Sequence, residues 1–206
     1  MTYIPLLNGN LRISIFAPAA FWLMAASEGP APFAVIASAA VLHELGHLCA
    51  IKLCGCRVTR VTVYPFGGLI EHTAAPDTTS AFFVAAGGIA ANSLCAVTGA
   101  AAFAFTNSAY ALLFTFASLF FAITNLIPLR TSDGGGMLYA LAARKSEEHA
   151  EKLLSRAAAA GRIILALLAA LILWLSDFNN GLCVALLIAA MPSPHAANDV
   201  SRLSGI

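Results

Sequence analysis

Residues 31–53 read APFAVIASAAVLHELGHLCAIKL, an apolar run that contains His43, Glu44 and His47. The run is long enough for the roughly 20 residues with which an α-helix crosses a bilayer. Residues four positions apart share one face of a helix, so the two imidazoles lie side by side. Charged groups in a bilayer cost about 2.5–3.5 kcal/mol on insertion scales and are usually functional. The stretch therefore predicts a membrane helix that carries a polar site.

The composition of the whole chain agrees with a membrane protein. Of its 206 residues, 60% are hydrophobic and 10% are charged, whereas soluble domains have about 45–50% and about 25%. The formal net charge of +1 gives no footprint for nucleic acid. Five cysteines suggest no disulfide framework. Cys54 and Cys56 can be interpreted as a metal pair or as small apolar residues near a helix end. The length favours a single polytopic domain over residues 1–206.

Six apolar runs predict an all-α integral membrane protein with about six transmembrane helices. The runs are residues 11–26, 31–53, 80–105, 109–129, 157–175 and 181–191. Between the second and third runs, residues 57–71 read RVTRVTVYPFGGLIE, and this pattern predicts a small β-hairpin or strand insertion. Its edge can pair with an extended substrate, or the hairpin is merely structural. Residues 137–160 predict a solvated helix at the membrane surface.

The basic residues predict the orientation of these spans. All 11 Lys and Arg residues fall on one side of the six-span arrangement, and the outer turns near Glu28, Asn107 and Asp177 hold none. This bias is the positive-inside rule. It predicts a multi-pass protein of a bacterial cytoplasmic-type membrane with both termini in the cytoplasm. Alternatively, the first run is a cleaved signal peptide, since Ala25, Ala26 and Ser27 at its end are small.

The HELGH sequence of residues 43–47 has the HExxH pattern of zinc metalloproteases. His43 and His47 can hold one metal ion, and Glu44 can reach a metal-bound water. Zinc lowers the pKa of such a water from about 15.7 to about 7. Glu44 would then take the proton and give it to the leaving amine. The alternative is a hydrogen-bonded polar cluster that holds helices together.

A catalytic zinc ion needs a third protein ligand besides an open position. Asp133 is favoured because Pro128 breaks the helix before it and the glycines that follow allow a close backbone approach. The alternative is that Asp133 is only the N-cap of the next helix. The other candidates considered are His72, Asp77, Cys95, His149, Asp177 and His195.

Two further sets of residues are candidates for the surroundings of the site. The amide of Asn125 can hold substrate backbone or a developing oxyanion, or it can make an interhelical hydrogen bond. In the third run, Gly87, Gly88 and Asn92 are expected to allow close helix packing.

These motifs resemble the site-2 protease family of intramembrane metalloproteases. The resemblance lies in HELGH at 43–47, PFGG at 65–68, NLIP at 125–128 and DGG at 133–135. Within the family, the likeness is to the sporulation proteases that process a membrane-associated pro-sigma factor. The resemblance implies one zinc ion per chain, held by the residues that match His43, His47 and Asp133. It also implies Glu44 as acid/base, cleavage near the cytoplasmic side, a membrane-associated protein substrate and regulatory membrane proteins.

The chain departs from the family pattern at three places. Ser132 stands where a leucine is usual, Gly136 where a basic residue is usual, and Gly88–Ile89 where a Gly-Pro pair is usual. No C-terminal CBS domain is expected, and therefore no nucleotide control through one. Two other functions remain open: a catalytically silent zinc-binding scaffold, and a metal transporter in which intramembrane His and Asp mark an ion path.

Overall fold

The computed structural model of the chain describes residues 3–6, 10–14, 17–64 and 67–175. The described part is mostly helical and contains one small sheet. Its elements in chain order are β1 (Tyr3–Leu6), β2 (Leu11–Ser14), α1 (Ala17–Glu28), α2 (Pro30–Leu53), β3 (Val58–Tyr64), β4 (Gly67–His72), α3 (Thr78–Thr106), α4 (Ala109–Leu126), α5 (Asp133–Ala143) and α6 (Glu147–Leu175). The chain divides into two compact units between Asn125 and Leu126. That the chain works as a single domain stays a prediction.

The first unit contains a four-stranded sheet in the order β1-β2-β3-β4. β3 and β4 form the antiparallel hairpin that the sequence predicted between the second and third apolar runs. β2 pairs with β3 in parallel, and β1 pairs with β2 antiparallel. The two N-terminal strands were not predicted, because their short apolar segments do not show whether they belong to a strand or to a helix.

Four helices of the described part are long and apolar enough to cross a membrane: α2, α3, α4 and residues Glu147–Leu171 of α6. The prediction of a first span at residues 11–26 was wrong. That run contains β2 and most of α1, and α1 has 12 residues. Such a helix is about 18 Å long and is too short for a hydrocarbon core of about 30 Å. The sixth predicted span lies outside the described residues.

The close approach of α2 and α3 depends on two glycines. A Cβ added at Gly87 would lie 2.6 Å from the backbone oxygen of Gly46, and one at Gly46 would lie 2.6 Å from the Cβ of Ala91. Small residues at a helix contact let two backbones come together, as is typical of membrane helices. The predicted packing role of Gly87 is therefore confirmed. This contact brings the HELGH face of α2 against α3.

The second unit begins with the loop that the sequence predicted after Pro128. Ser132 is the N-cap of α5, and its hydroxyl oxygen accepts hydrogen bonds from the amides of Gly135 (3.2 Å) and Leu129 (2.9 Å). The same hydroxyl donates to the carbonyl of Ile127 at 2.5 Å. Arg130 in this loop bonds to Glu151 and Ser155 of α6. The loop is thus fixed by side-chain hydrogen bonds within its own unit.

α6 differs from the sequence prediction of a surface helix followed by a separate span. The charged segment and the fifth apolar run form one continuous helix, which begins at Glu147 after a break at residues 144–146. α5 packs on the charged end of α6 through a cluster of buried side chains. The cluster consists of Tyr139, Ala142, Ala150 and Leu154.

Candidate metal centre

α2 brings the two histidines of HELGH together on one face, as their spacing predicted. Nε2 of His43 and Nε2 of His47 lie 3.3 Å apart. The rings meet edge to face at 79° with their centroids 4.9 Å apart. His43 is 6% exposed and His47 is half-buried. Two imidazole nitrogens therefore converge on one point beside the helix.

The other ring nitrogen of His47 has a partner on α3. Nδ1 of His47 lies 2.9 Å from the carbonyl oxygen of Val84. A carbonyl can only accept a hydrogen bond, so Nδ1 carries the proton and donates it. Nε2 of the neutral ring then keeps its lone pair. Such a backbone partner fixes the tautomer and orientation of many histidines that bind metals.

Asn92 of α3 is the partner of His43, and sequence reasoning assigned it only a packing role. Its side chain is fully buried, and its Nδ2 lies 3.2 Å from Nδ1 of His43. The signal in the sequence was its position four residues after Gly88 in an apolar helix, since the two residues share a face. A polar side chain on a face of small residues needs a polar partner.

Gly88 is the residue of α3 that lies closest to the two rings. A Cβ added there would lie 2.6 Å from Nε2 and from Cε1 of His43, and it would also overlap Nε2 of His47. Even a methyl group would therefore displace the imidazoles. The prediction that Gly88 permits close packing is confirmed, and the groups that it admits are the imidazoles themselves.

Glu44 lies against β4, the last strand of the described sheet. The amide of Gly68 in β4 donates a hydrogen bond of 3.2 Å to Oε1 of Glu44. A Cβ at Gly68 would lie 2.9 Å from the Glu44 carboxyl carbon. The PFGG sequence of residues 65–68 thus places a glycine where the backbone of the strand approaches the carboxylate. Helix α2 and strand β4 together position Glu44.

The donor set fits a zinc ion. Zinc binds imidazole at about 2.0–2.1 Å in tetrahedral geometry, which separates two ligand nitrogens by about 3.4 Å. The observed 3.3 Å between the Nε2 atoms agrees with that separation. The carbonyl of Val84 at Nδ1 keeps the lone pair of His47 on Nε2, and Nε2 of His43 faces the same point.

The remaining predicted site residues lie at the ends of helices. Asp133 is the first residue of α5 in the second unit, and Ser132 rather than Asp133 caps that helix. Asn125 is near the end of α4, where its Nδ2 donates to the carbonyl of Phe121 at 3.0 Å. This bond lies within one helix, unlike the interhelical bond considered from the sequence. The roles of Asp133 and Asn125 at the site stay predictions.

Two of the other candidate ligands have local partners in the structure. Asp77 caps α3 and accepts a hydrogen bond of 2.7 Å from the amide of Ser80. His72 at the end of β4 bonds through Nδ1 to the carbonyl of Thr73. His149 lies in the exposed first turn of α6, and Cys95 lies in α3. Asp177 and His195 are outside the described residues.

Comparisons with known proteins find similarity in part of the sequence and in the fold. The model of peptidase family M50 matches residues 31–110, which include HELGH and Asn92 but not Asn125 or Asp133. The structure is similar to that of the site-2 protease from Methanocaldococcus jannaschii, with a TM-score of 0.59 and 18% identity. The match covers 100% of this chain and 96% of that one. The chain therefore has that fold. No curated protein matches the sequence.

Proposed function

We propose that the chain is an intramembrane zinc metalloendopeptidase of the site-2 protease family. The observation that carries the proposal is the pair of Nε2 atoms of His43 and His47, 3.3 Å apart, beside Glu44 on a helix long and apolar enough to cross a membrane. The likeness to peptidase family M50 over this helix supports it.

The depth of the site in α2 supports cleavage close to one membrane surface. His47 lies six residues before Leu53, where α2 ends, and this corresponds to about 9 Å along the helix axis. Lys52 and the sheet follow at that end. The positive-inside rule assigns it to the cytoplasmic side. The substrate bond would then be cut near the cytoplasmic face of a bacterial cytoplasmic-type membrane.

The chemistry proposed for the site divides between the metal and Glu44. Zinc would supply Lewis-acid activation of a water molecule and of the scissile carbonyl. Glu44 accepts a proton from the attacking water at its carboxylate and afterwards donates it to the leaving amine. The amide of Gly68 holds Oε1 of Glu44 and so fixes the direction in which the carboxylate faces. His43 and His47 hold the metal through Nε2.

Two more residues complete the proposed site. Asp133 is the third ligand, since a catalytic zinc ion uses three protein ligands and keeps one open position. Its place at the start of α5, directly after the loop fixed by Ser132, supports this role. Asn125 holds substrate backbone or the developing oxyanion through its amide.

β4 is proposed to bind the substrate as an added strand. A helix is a poor substrate because its peptide groups are already hydrogen-bonded, so the scissile segment must become extended. β4 ends the sheet in the part of the chain that the structure describes, and its Gly68 amide bonds to Glu44. A substrate paired with that edge of β4 would run beside the catalytic carboxylate.

The substrate is proposed to be a membrane-associated protein, with a sporulation pro-sigma factor as the specific candidate and membrane proteins as regulators. The motifs at 43–47, 65–68, 125–128 and 133–135 support this branch of the family.

The test compares membranes from cells that express the wild type, Glu44→Gln, and Glu148→Gln as a matched control. Glu148 is an exposed residue of α6. Mass spectrometry of new protein termini should find cleavage products with the wild type and with Glu148→Gln. The Glu44→Gln variant should accumulate the uncut substrate and keep its zinc. A scaffold would give no new termini with any form, and a transporter would move metal equally well with Glu44→Gln; either result overturns the proposal.

A further inference from the structure

We infer that Asn92 is the positioning residue that fixes the metal-binding nitrogen of His43, by presenting its amide oxygen to Nδ1 of that ring. The inference deepens the proposed function and rests on it. Asn92 is fully buried on α3, and its amide group lies against His43. Gly88, on the same face four residues earlier, leaves room for the rings.

The arrangement at His47 shows which partner each of the two imidazoles needs at Nδ1 if it is to bind a metal through Nε2. There the partner of Nδ1 is the carbonyl of Val84, which can only accept a hydrogen bond. At His43 the nitrogen that faces His47 is also Nε2. A neutral imidazole that uses Nε2 as a ligand carries its proton on Nδ1. The group opposite Nδ1 of His43 must then be an acceptor.

The amide of Asn92 can meet this requirement by a rotation that leaves its shape unchanged. The nitrogen and oxygen of an Asn amide are assigned from their hydrogen bonds. In the structure Nδ2 faces His43, and Oδ1 is buried with no hydrogen-bond partner among the described residues. Oδ1 is therefore an uncommitted acceptor within that part of the chain. Turning the amide by about 180° places Oδ1 opposite Nδ1, as the carbonyl of Val84 is at His47.

Asn92 would then act on metal binding through the ring of His43. Partners of this kind orient the ligand and raise its basicity, and their loss typically lowers metal affinity about 10–100-fold. An Asp at position 92 keeps the acceptor and removes the donor, whereas a Leu of similar size removes both. The two variants therefore distinguish two roles of Asn92: accepting a hydrogen bond from Nδ1 of His43, and only filling the space beside the ring.

The experiment measures the zinc affinity of the full chain in detergent by competition with a chromophoric chelator. We expect Asn92→Leu to bind zinc about 10–100-fold more weakly and Asn92→Asp to stay within about 3-fold of the wild type. Ser118→Ala is the matched control, because Ser118 is also a fully buried polar residue of a membrane helix, α4. It should leave the affinity unchanged.

Two results would overturn the inference while the proposed function stands. In the first, Asn92→Leu binds zinc as tightly as the wild type does. In the second, Asn92→Asp binds zinc at least about 10-fold more weakly than the wild type. The second comparison decides the matter even if Asn92→Leu does not fold. A wild-type chain that binds no zinc would instead end the proposed function, and the inference with it.

Discussion

Gly68 donates its backbone amide to the carboxylate of Glu44 across 3.2 Å, joining the sheet to the membrane helix at the proposed site. The contact is possible because position 68 has no side chain: a Cβ there would lie 2.9 Å from the carboxyl carbon of Glu44 and 3.0 Å from Oε1. The last strand of the described sheet thus approaches the proposed general base through its backbone alone. Cleavage and metal binding should therefore respond differently to changes at this strand.

The first prediction concerns Gly68→Ala. The added methyl group pushes the Glu44 carboxylate from its place, so cleavage should fall by at least about 10-fold, within the contribution usual for a general base. The three atoms nearest to this methyl group all belong to Glu44, so zinc content should not change. The measurements are product formation in membranes and zinc per purified chain. Loss of zinc together with cleavage would show that Gly68 supports the fold of the site rather than Glu44 alone.

The second prediction concerns Gly88→Ala on α3. Its methyl group would overlap the rings of His43 and His47, so the two Nε2 atoms cannot keep their 3.3 Å separation. We expect zinc binding to weaken by more than about 10-fold, since ligand geometry sets metal affinity. Ser93→Ala on the same helix is the control, because Ser93 is exposed and bonds only to the carbonyl of Ile89 in the described structure. Equal zinc affinity of Gly88→Ala and wild type would contradict the prediction.

Much of this site was predictable from the sequence because its geometry is local. His43 and His47 are four residues apart, so one helix is enough to bring them together. The partner of His47 was not predictable, because it is a backbone carbonyl on α3. Every residue has such a carbonyl, so the residue types do not show which one bonds to His47. Asn92 was visible as a polar residue in an apolar run, but its contact with His43 depends on how α2 and α3 pack.

The fold was predictable where the residue pattern of a segment fits only one type of secondary structure. The hairpin of β3 and β4 is rich in β-branched residues and is broken by Pro and Gly, and it was confirmed. The prediction of one span at residues 11–26 was wrong, since its first four residues form β2. Three of them pair with β3, more than 40 residues later in the chain. Such pairing is tertiary and overrides local pattern.

The third prediction concerns the cysteines after α2, which the sequence left open as a metal pair. Cys56 is buried in a cluster with Ile51, Ala75 and Val84. Burial raises the pKa of the Cys56 thiol, and Cys54 adds to the rise through charge repulsion. At pH 8 the fraction of Cys56 that is thiolate, the reactive form, is then smaller than for a thiol with the ordinary pKa. A chain with only Cys56 should react with iodoacetamide several-fold more slowly than a chain with only Cys54; equal rates would contradict burial of this thiol.

The last prediction concerns Asp133 as the third ligand. Asn at position 133 keeps the size of the side chain but removes the charged carboxylate, which is the form that binds zinc. Asp133→Asn should therefore lower zinc affinity by at least about 10-fold. Asp77→Asn is the matched control, because Asp77 also lies at the start of a helix and caps α3 through Ser80.

The control should weaken the cap of α3 and so lower stability by about 1 kcal/mol or less, while zinc affinity stays the same. α5 keeps its own cap in Asp133→Asn, since Ser132 rather than Asp133 accepts the hydrogen bond from Gly135. A loss of zinc without a loss of stability would thus be the mark of a ligand. Zinc bound equally by Asp133→Asn and by the wild type would remove Asp133 from the site and require the third ligand elsewhere.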